Sequence, residues 1–305
     1  MKTAVIDIGT NTLLLLIVDG DGVPVVDLCR FGRLGRGLDG TGRLDADAIA
    51  ASLEICREYR RVMDDHGVAR PIAVATQAMR EARNAAEFIA PAEAILGASI
   101  EVIGGAREAE LAFVAVARTF PELAGAPYVV VDVGGGSSEF VATNGARVTA
   151  AVSVPMGAVR LTERHLRRDP PAPEEIRGLI GDIDLQLEGH LASLELPRGV
   201  PVVGTAGTAT TLAAMELGLA AHDSAAVTGV RLDPRAVEAH VARLLAATVA
   251  ERRAIRGVEP QRADVVAGGA AIYARVMLWL AAPVLITCDR GIRWGLAHEQ
   301  LGRPA

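Results

Sequence analysis

The sequence predicts an α/β protein built from two similar lobes. After an opening hairpin, strands alternate with helices, which is typical of an α/β lobe with a mixed sheet. The same order then starts again near residue 128. Each half opens with a β-hairpin whose turn carries Asp-x-Gly followed by small residues, "DIGTNT" in the first half and "DVGGGSS" in the second. A duplicated unit of this kind predicts two lobes that face each other across a cleft.

The first half begins with three predicted strands. Strands at 3–8 and 13–18 enclose a loop at 9–12, and a third strand lies near 23–31. A glycine-rich loop then leads into an amphipathic helix from about 45 to 66. "PIAVATQAMREARN" is a strand that runs into a helix start, "SIEVIGG" is another strand, and "AREAELAFVAVART" is another helix.

The second half repeats the pattern from "PYVVVDVGGGSSEFVATNGARVTAAVSVP", which predicts three strands separated by a glycine loop and a turn. Helices follow at about 157–167 and 173–193, and "GVPVVGTAGTATTLAAMELGL" is a strand, a Gly/Thr loop and a helix. Two further helices, a strand and a closing helix complete the chain. We therefore predict an N-terminal lobe of residues 1–119 with the closing helix of about 291–305, and a C-terminal lobe of residues 120–290. The segment "FPELAGAP" is the predicted boundary.

Composition narrows the class of protein. The chain has 305 residues, half of them hydrophobic, which is ample to bury real cores. The formal net charge of −6 argues against a general nucleic-acid binder, and we predict no specific nucleic-acid partner. Lys2 is the only lysine, so any anion site must be built from guanidinium groups and backbone amides.

Cysteine content and hydrophobicity predict the compartment. Cys29, Cys56 and Cys288 are few, odd in number and far apart, which fits neither a disulfide framework nor a zinc site and is typical of a reducing cytosol. The longest apolar runs are too short to span a bilayer, and the N-terminus has no signal-peptide pattern. We predict a cytoplasmic protein without a membrane partner.

Both hairpin turns fit phosphate binding. Glycine lets the backbone approach an anion closely, and successive N–H groups in a tight turn form an anion-binding concavity. Thr10, Thr12, Ser137 and Ser138 add hydroxyl donors. An aspartate at a strand end repels phosphate unless a cation lies between them, so Asp7 and Asp132 imply a divalent metal, Mg²⁺ with several retained waters. The alternative for a single copy is ordinary turn chemistry, and the second copy favours phosphate.

A third Gly/Thr turn, "GTAGTAT" at 204–210, precedes a helix. Its threonines are predicted to cap that helix. A phosphate or nucleoside site at the helix N-terminus is the alternative.

Nine motifs, taken in order, resemble one family. "AVIDIGTNT", "LGRGL", "ATQAMREARN", "GGAREAE", "VVDVGGGSSE", "PMGAVRLTE", "GTAGTATTLA", "RADVVAGG" and "DRGIRWG" are similar to the exopolyphosphatase/guanosine pentaphosphate phosphohydrolase (Ppx/GppA) family over nearly the whole chain. The resemblance implies two ribonuclease H-like lobes of the actin/sugar-kinase/Hsp70 superfamily, with an interlobe cleft. Longer members carry an extra C-terminal helical domain, so the resemblance is to the short, two-domain form.

The resemblance also implies roles for individual residues. It places the catalytic glutamate at Glu108, two further acidic residues at Asp132 and Glu139, and the motif arginine at Arg80, so Glu108, Glu139 and Arg80 are the predicted catalytic residues. With Asp7, the carboxylates Asp132 and Glu139 are the predicted metal ligands. The predicted phosphate-binding residues are Gly9, Thr10, Asn11, Thr12, Gly134, Gly135, Gly136, Ser137, Ser138, Gly207 and Thr208. Without the resemblance, Glu108 would be read as a first-turn glutamate favoured by the helix dipole and Arg80 as a solvated helix residue.

Three positions depart from the family pattern. The family usually has an acidic residue where Ala106 and Arg107 stand, which leaves Glu108 as the one base. Trp294 replaces the glutamate that usually follows the arginine of the last motif, and Gln77 replaces a serine beside Arg80. The doublet His222–Asp223 is predicted to be a loop pair and no metal site.

The resemblance implies a Mg²⁺-dependent exopolyphosphatase, with Mn²⁺ as the alternative metal. Its terminal phosphate would lie between the two glycine loops while Glu108 activates water. Two alternatives stay open: removal of the 5′ γ-phosphate from guanosine pentaphosphate (pppGpp), and a catalytically weak sensor of polyphosphate or of the alarmones pppGpp and ppGpp. The sequence leaves open whether the protein forms a homodimer.

Overall fold

The computed structural model describes residues 2–302 and divides into two compact units. Unit 1 comprises Met1–Ala115 and Ile292–Ala305, and unit 2 comprises Val116–Gly291. The break falls inside a helix, a few residues before the predicted boundary at 120. The predicted domain limits stay a prediction, because the units are defined by packing alone.

Unit 1 is a five-stranded mixed sheet with helices on both faces. Its strands are β1 (Thr3–Ile8), β2 (Leu13–Val18), β3 (Pro24–Arg30), β4 (Ile72–Ala75) and β5 (Ile100–Val102), and its helices are α1 (Leu38–Thr41), α2 (Ala46–Asp65), α3 (Gln77–Glu81), α4 (Ala86–Leu96), most of α5 (Gly105–Thr119) and the closing helix, which is numbered last as α13 (Ile292–Gln300).

The strands of unit 1 lie in the order β3-β2-β1-β4-β5, with β1, β4 and β5 parallel. Because side chains alternate along a strand, β1 buries its residues in two separate cores. Ile6 and Ile8 join the core under α2 and α4. Val5 joins the core under α5 and α13. Asp7 therefore shares the sheet face of Val5, the face that α5 covers.

Unit 2 is a six-stranded sheet. Its strands are β6 (Tyr128–Val133), β7 (Ser138–Thr143), β8 (Val148–Val154), β9 (Val202–Thr205), β10 (Arg231–Leu232) and β11 (Leu285–Thr287), and its helices are α6 (Ala158–His165), α7 (Pro173–Leu191), α8 (Ala206–Leu217), α9 (Ser224–Val227), α10 (Pro234–Ala246), α11 (Val249–Ala254) and α12 (Val266–Leu280). The strand order is β10-β11-β9-β6-β7-β8. A large core fills the space between this sheet and α7, α8, α10 and α12.

The two sheets repeat one topology. In each, a strand pairs antiparallel with the next strand of its hairpin on one side and parallel with a later strand on the other: β1 with β2 and β4, and β6 with β7 and β9. The third strand of each meander forms an outer edge. This duplication confirms the predicted α/β class of two similar lobes.

The predicted elements are largely confirmed, but the helices α1, α4, α9 and α11 and the two-residue strand β10 are not among those that the sequence predicts. The first hairpin strands match at 3–8 and 13–18, and α2 falls within the predicted 45–66. Helix α4 was not predicted, because Pro91 lies inside it and proline ordinarily breaks a helix. Over the residues that the structure describes, none of the helices has the length and apolarity needed to cross a membrane.

Candidate active site

The loop Gly9–Thr12 of unit 1 is a tight turn held by backbone hydrogen bonds. The Gly9 N–H donates to the Thr12 carbonyl over 2.9 Å, and the Gly35 N–H donates to the Thr10 carbonyl over 2.7 Å. A Cβ atom on Gly35 would lie 2.1 Å from the Thr10 methyl group, so the "LGRGL" segment packs against this loop without room for a side chain. The loop is therefore a fixed backbone surface.

Asp7 lies one residue before the end of β1 and is 7% exposed. It pairs with Leu14 of β2 and Val74 of β4, so its immediate neighbours across the strands are apolar. Its side chain faces the α5 side of the sheet, where the first turn of α5 carries Glu108.

Arg80 and Glu108 form an ion pair, although 28 residues separate them in the sequence. They meet because each follows one of two neighbouring parallel strands, β4 and β5, whose carboxyl ends lie at the same edge of the sheet. Glu108 is 4% exposed. Arg80 Nη1 also donates to the Ile103 carbonyl over 2.6 Å, and Arg80 Nη2 donates to Gln77. A buried carboxylate and a guanidinium are thus placed together at the strand ends of unit 1.

In unit 2, polar side chains form a row across four strands. Asp132 on β6 lies opposite Glu139 on β7 and beside Thr205 on β9, and Glu139 lies opposite Ser153 on β8. Residues in register on neighbouring strands project from the same face. Ser153 Oγ donates to Glu139 Oε1 over 2.6 Å. Asp132, Glu139 and Thr205 are all buried, at 7%, 2% and 0% exposure.

Tyr273 of α12 contacts the backbone of two strands that carry this row. Its hydroxyl lies 2.9 Å from the Val131 carbonyl and 2.8 Å from the Thr205 carbonyl, so it links β6 and β9 beside the row. Complete burial, and secondly the charge of Asp132, raise the pKa of the Tyr273 hydroxyl well above its usual value. The phenol therefore stays protonated and keeps donating.

The glycine loop of unit 2 repeats the turn of unit 1. The Gly134 N–H donates to the Ser137 carbonyl over 3.0 Å, the counterpart of the Gly9–Thr12 bond. Ser138 Oγ donates to the Met156 carbonyl, so this hydroxyl is used inside the fold. Ser137 is also buried. Burial of both side chains does not favour hydrogen bonds from their hydroxyls to phosphate, and this role stays a prediction.

Helix α6 begins directly against this loop. The N–H groups of Ala158 and Val159 donate to the carbonyls of Gly134 and Gly135 over 2.9 Å each. A Cβ atom on Gly157 would lie 2.4 Å from the Gly135 carbonyl oxygen, which explains glycine in the "PMGAV" motif. Arg160 Nε donates to the Gly136 carbonyl over 2.9 Å and brings a guanidinium to the loop.

The third turn corrects one prediction. Thr205 is the residue before α8, but its hydroxyl makes no capping hydrogen bond, and Thr210 and Thr211 donate backwards to the Gly207 carbonyl. The predicted threonine cap is therefore wrong. Thr208 is 1% exposed and packs against Gly269, so only its backbone N–H remains suited to an anion.

A strained backbone and an arginine mark the same helix start. Ala206 has φ = 63°, a left-handed conformation that costs a residue with a side chain about 1 kcal/mol or more. A Cβ atom on Gly207 would lie 2.2 Å from the Arg262 guanidinium. Glycine thus admits an arginine to the positive end of the helix dipole, a placement that an anion would stabilise.

The carboxylates fit a metal shared with substrate. Among residues 2–302, no cluster of three or more His, Cys, Asp or Glu side chains is arranged to hold a metal ion. Mg²⁺, however, is usually held by one or two carboxylates together with water and substrate phosphates. The adjacent Asp132 and Glu139 supply such a pair, so the donor set fits Mg²⁺.

Two of the departures from the family pattern are structural. Arg107 binds Glu299 and Glu110, which ties α5 to α13 within unit 1. Arg293 donates through Nε and Nη2 to the Asp27 carboxylate over 3.1 and 3.2 Å, and Trp294 is buried in the core under α13. The predicted loop pair also fits: Asp223 caps α9, and His222 lies 3.3 Å from the Asp289 carboxylate.

Sequence reasoning missed three residues near these loops. Arg160 and Arg262 lie in motifs that were recognised but given no role, although arginine is nearly the only cation in the chain. Gln77 departs from the family pattern, and the sequence does not show that its side chain accepts from Arg80. The near absence of lysine was the signal that pointed to arginines in motifs as anion ligands.

Each unit thus has carboxylates at its strand ends, a glycine turn, and at least one arginine, which is a chemistry suited to phosphate groups. A model of the Ppx/GppA phosphatase family matches residues 18–303. The chain belongs to this family, which confirms the resemblance found in the sequence and the predicted enzyme class.

Individual relatives are similar to this chain over nearly its full length. Exopolyphosphatase 2 of Mycobacterium tuberculosis is 38% identical over 283 residues, covering 89% of this chain and 88% of that protein. The crystal structure of a Ppx/GppA family member from Aquifex aeolicus is 32% identical, with a TM-score of 0.79 and coverage of 99% and 98%. An exopolyphosphatase structure from Cytophaga hutchinsonii is 28% identical, with a TM-score of 0.89 and the same coverage. The predicted two-lobe fold class is confirmed.

Proposed function

We propose that this protein is an exopolyphosphatase that removes the terminal phosphate of linear polyphosphate. The observation that carries the proposal is the buried Glu108 carboxylate paired with Arg80 at the strand ends of unit 1. The names of its M. tuberculosis and C. hutchinsonii relatives support polyphosphate as the substrate.

In the proposed reaction, Glu108 orients a water molecule and accepts its proton. The water oxygen forms a bond to the terminal phosphorus while the bridging P–O bond breaks. The bond's electron pair stays on the shortened chain, and orthophosphate is released. General-base assistance of this kind contributes roughly 10²–10⁴-fold to a rate.

Positive charge must balance the phosphoryl oxygens as the bond breaks. In unit 1 we assign Arg80 and the backbone N–H groups of its glycine turn to this task. In unit 2, Arg160 and Arg262 are the guanidinium groups suited to bind phosphate. The proposal that the two turns serve one substrate rests on their duplicated sequence. The assignment of both loops to phosphate comes from the sequence. The backbone hydrogen bonds that hold each turn support this assignment.

Asp132 and Glu139, with Asp7, are the proposed holders of a divalent metal, Mg²⁺ or alternatively Mn²⁺. When bound, the metal would neutralise phosphate charge and polarise the phosphoryl oxygens. Ser153 would orient Glu139 through its hydrogen bond to Oε1. The Tyr273 hydroxyl would keep β6 and β9 at a fixed spacing beside Asp132.

The test is phosphate release from long-chain polyphosphate, tripolyphosphate and pppGpp at one Mg²⁺ concentration. Faster release from polyphosphate supports the proposal. Preferred cleavage of pppGpp would favour the nucleotide phosphohydrolase. Tight binding of any of the three without release would instead favour the sensor.

A further inference from the structure

Gln77 is the first residue of α3 and contacts Arg80 one turn later. The two residues are neighbours on the helix surface because i and i+3 positions face each other. The Gln77 side-chain oxygen accepts from Arg80 Nη2, while Arg80 Nη1 reaches Glu108 and the Ile103 carbonyl. Among the described residues, Gln77 is thus the one neutral side chain that accepts a hydrogen bond from Arg80.

The orientation of the Gln77 amide is fixed at both ends. Its nitrogen donates to the Glu81 Oε1 atom, an acceptor that a flipped amide could not use. With the nitrogen held by Glu81, the amide oxygen must point to Arg80. The side chain therefore acts as an oriented acceptor.

Counting donors shows what this arrangement leaves for a substrate. A guanidinium has five N–H groups. Ile103 and Glu108 use both on Nη1, and Gln77 uses one on Nη2. The N–H on Nε and the second on Nη2 have no acceptor within residues 2–302, and the arginine side chain is 22% exposed. Two N–H donors of Arg80 thus stay available to a phosphate, while the other three fix the plane of the guanidinium group.

We propose that Gln77 is a positioning residue that orients Arg80 for substrate phosphate while Glu108 is in use as the base. This inference rests on the proposed function, because it takes Arg80 as a phosphate ligand. Glu108 loses its negative charge when it accepts a proton, and its hold on Arg80 then weakens. Gln77 and Ile103 are neutral acceptors whose hold on Arg80 does not change at that moment.

The resemblance described above would place a serine at position 77. A serine hydroxyl ends much nearer to the backbone and would not span the distance that the Gln77 amide spans. In this chain, the orientation of Arg80 is therefore a property of Gln77. The competing explanation is that Gln77 only pairs with Glu81 along the helix surface, which stabilises α3 slightly and has no effect on substrate.

A double-mutant cycle separates the two explanations. Gln77→Met keeps the length of the side chain but removes the acceptor. We expect it to lower kcat/KM for polyphosphate about 10-fold, mainly through KM, because a hydrogen bond to a charged group is lost. In an Arg80→Ala background the same change should cost less than about 2-fold. Equal losses in both backgrounds, or no loss in the wild type, would overturn the inference.

Matched variants complete the design. Glu54→Met removes an acceptor three residues from Arg57 on the exposed surface of α2, and should leave kcat and KM unchanged. Gln77→Ser should behave like Gln77→Met, since the hydroxyl is too short. A wild-type-like Gln77→Ser enzyme would contradict the positioning role.

Binding of tripolyphosphate, measured by calorimetry on the wild type and the three cycle variants, separates this inference from the proposed function. Coupling between Gln77 and Arg80 in binding, with no turnover by the wild type, would contradict the hydrolase and support only the part of the inference in which Gln77 orients Arg80 toward a bound phosphate. Turnover by the wild type without coupling between Gln77 and Arg80 would support the hydrolase and contradict the inference.

Discussion

Asp132 lies directly opposite Glu139 across the β6–β7 hairpin, whereas the matching position of the β1–β2 hairpin places Leu14 opposite Asp7. The hairpin of unit 2 therefore carries a pair of carboxylates, whereas the hairpin of unit 1 carries a single one. Two buried carboxylates side by side repel each other unless a cation or hydrogen bonds stabilise them. This asymmetry makes unit 2 the stronger candidate for holding a metal.

We expect activity to depend on a divalent metal and to be most sensitive to unit 2. EDTA should abolish phosphate release and Mg²⁺ should restore it. Asp132→Asn and Glu139→Gln should each raise the Mg²⁺ concentration for half-maximal activity at least about 10-fold, because one charged ligand becomes neutral. Glu174→Gln, which changes an exposed glutamate paired with Arg168, is the control. Full activity in EDTA would remove the metal from the mechanism.

Glu108→Gln should lower kcat for polyphosphate by roughly 10²–10⁴-fold, because glutamine keeps the shape but cannot accept the proton of water. Binding of tripolyphosphate should survive or tighten, since a negative charge near an anion is lost. A glutamine oxygen can still accept from Arg80, so we expect the melting temperature to change little.

The control for this variant is Glu110→Gln, which alters a glutamate on the same helix that pairs with Arg107. It should keep near-normal turnover. If Glu108→Gln also kept it, the residue would serve only as a first-turn partner of the helix dipole, worth at most about 1 kcal/mol of stability.

The sequence was sufficient for the hairpins because their signals are local. Apolar strands around an Asp-x-Gly turn predicted β1, β2, β6 and β7, and the duplication predicted two similar lobes. Contacts made over long separations were out of reach. The Arg80–Glu108 pair depends on β4 lying parallel to β5, and the packing of Arg262 on Gly207 depends on how α8 meets a distant loop.

Local rules also misled where packing overrode them. Pro91 argues against a helix at α4. The helix forms nevertheless, because its apolar residues Phe88, Ala92 and Leu96 are fully buried in the core. At α8, a threonine before the helix predicted a cap, but the left-handed Ala206 directs the chain differently. Such strain often marks a functional site, in keeping with the anion role proposed for this turn.

Tyr273→Phe tests the support beneath the acidic row. The hydroxyl bridges the Val131 and Thr205 carbonyls in the buried core, so its loss should lower the free energy of unfolding by about 1 kcal/mol. Chemical denaturation measures this change. Tyr128→Phe, in a buried residue of the same sheet, is the matched control. Because β6 and β9 carry Asp132 and Thr205, kcat should also fall in Tyr273→Phe and stay unchanged in the control. A loss of stability with normal kcat would limit Tyr273 to a structural role.

Cysteine reactivity tests the two cores independently of any activity. Burial raises the pKa of the Cys56 thiol to about 12 and that of Cys288 to about 11, and both side chains are fully buried. Since the thiolate is the reactive form, neither should be alkylated by iodoacetamide at pH 8 in the folded protein. Cys29 on the edge strand β3 is partly exposed and should react first. Mass spectrometry of peptides should show one modified cysteine in the native protein and three in guanidinium chloride. Rapid native modification of Cys56 would mean that the core under α2 opens readily, and the same result at Cys288 would mean that the end of β11 is accessible to solvent.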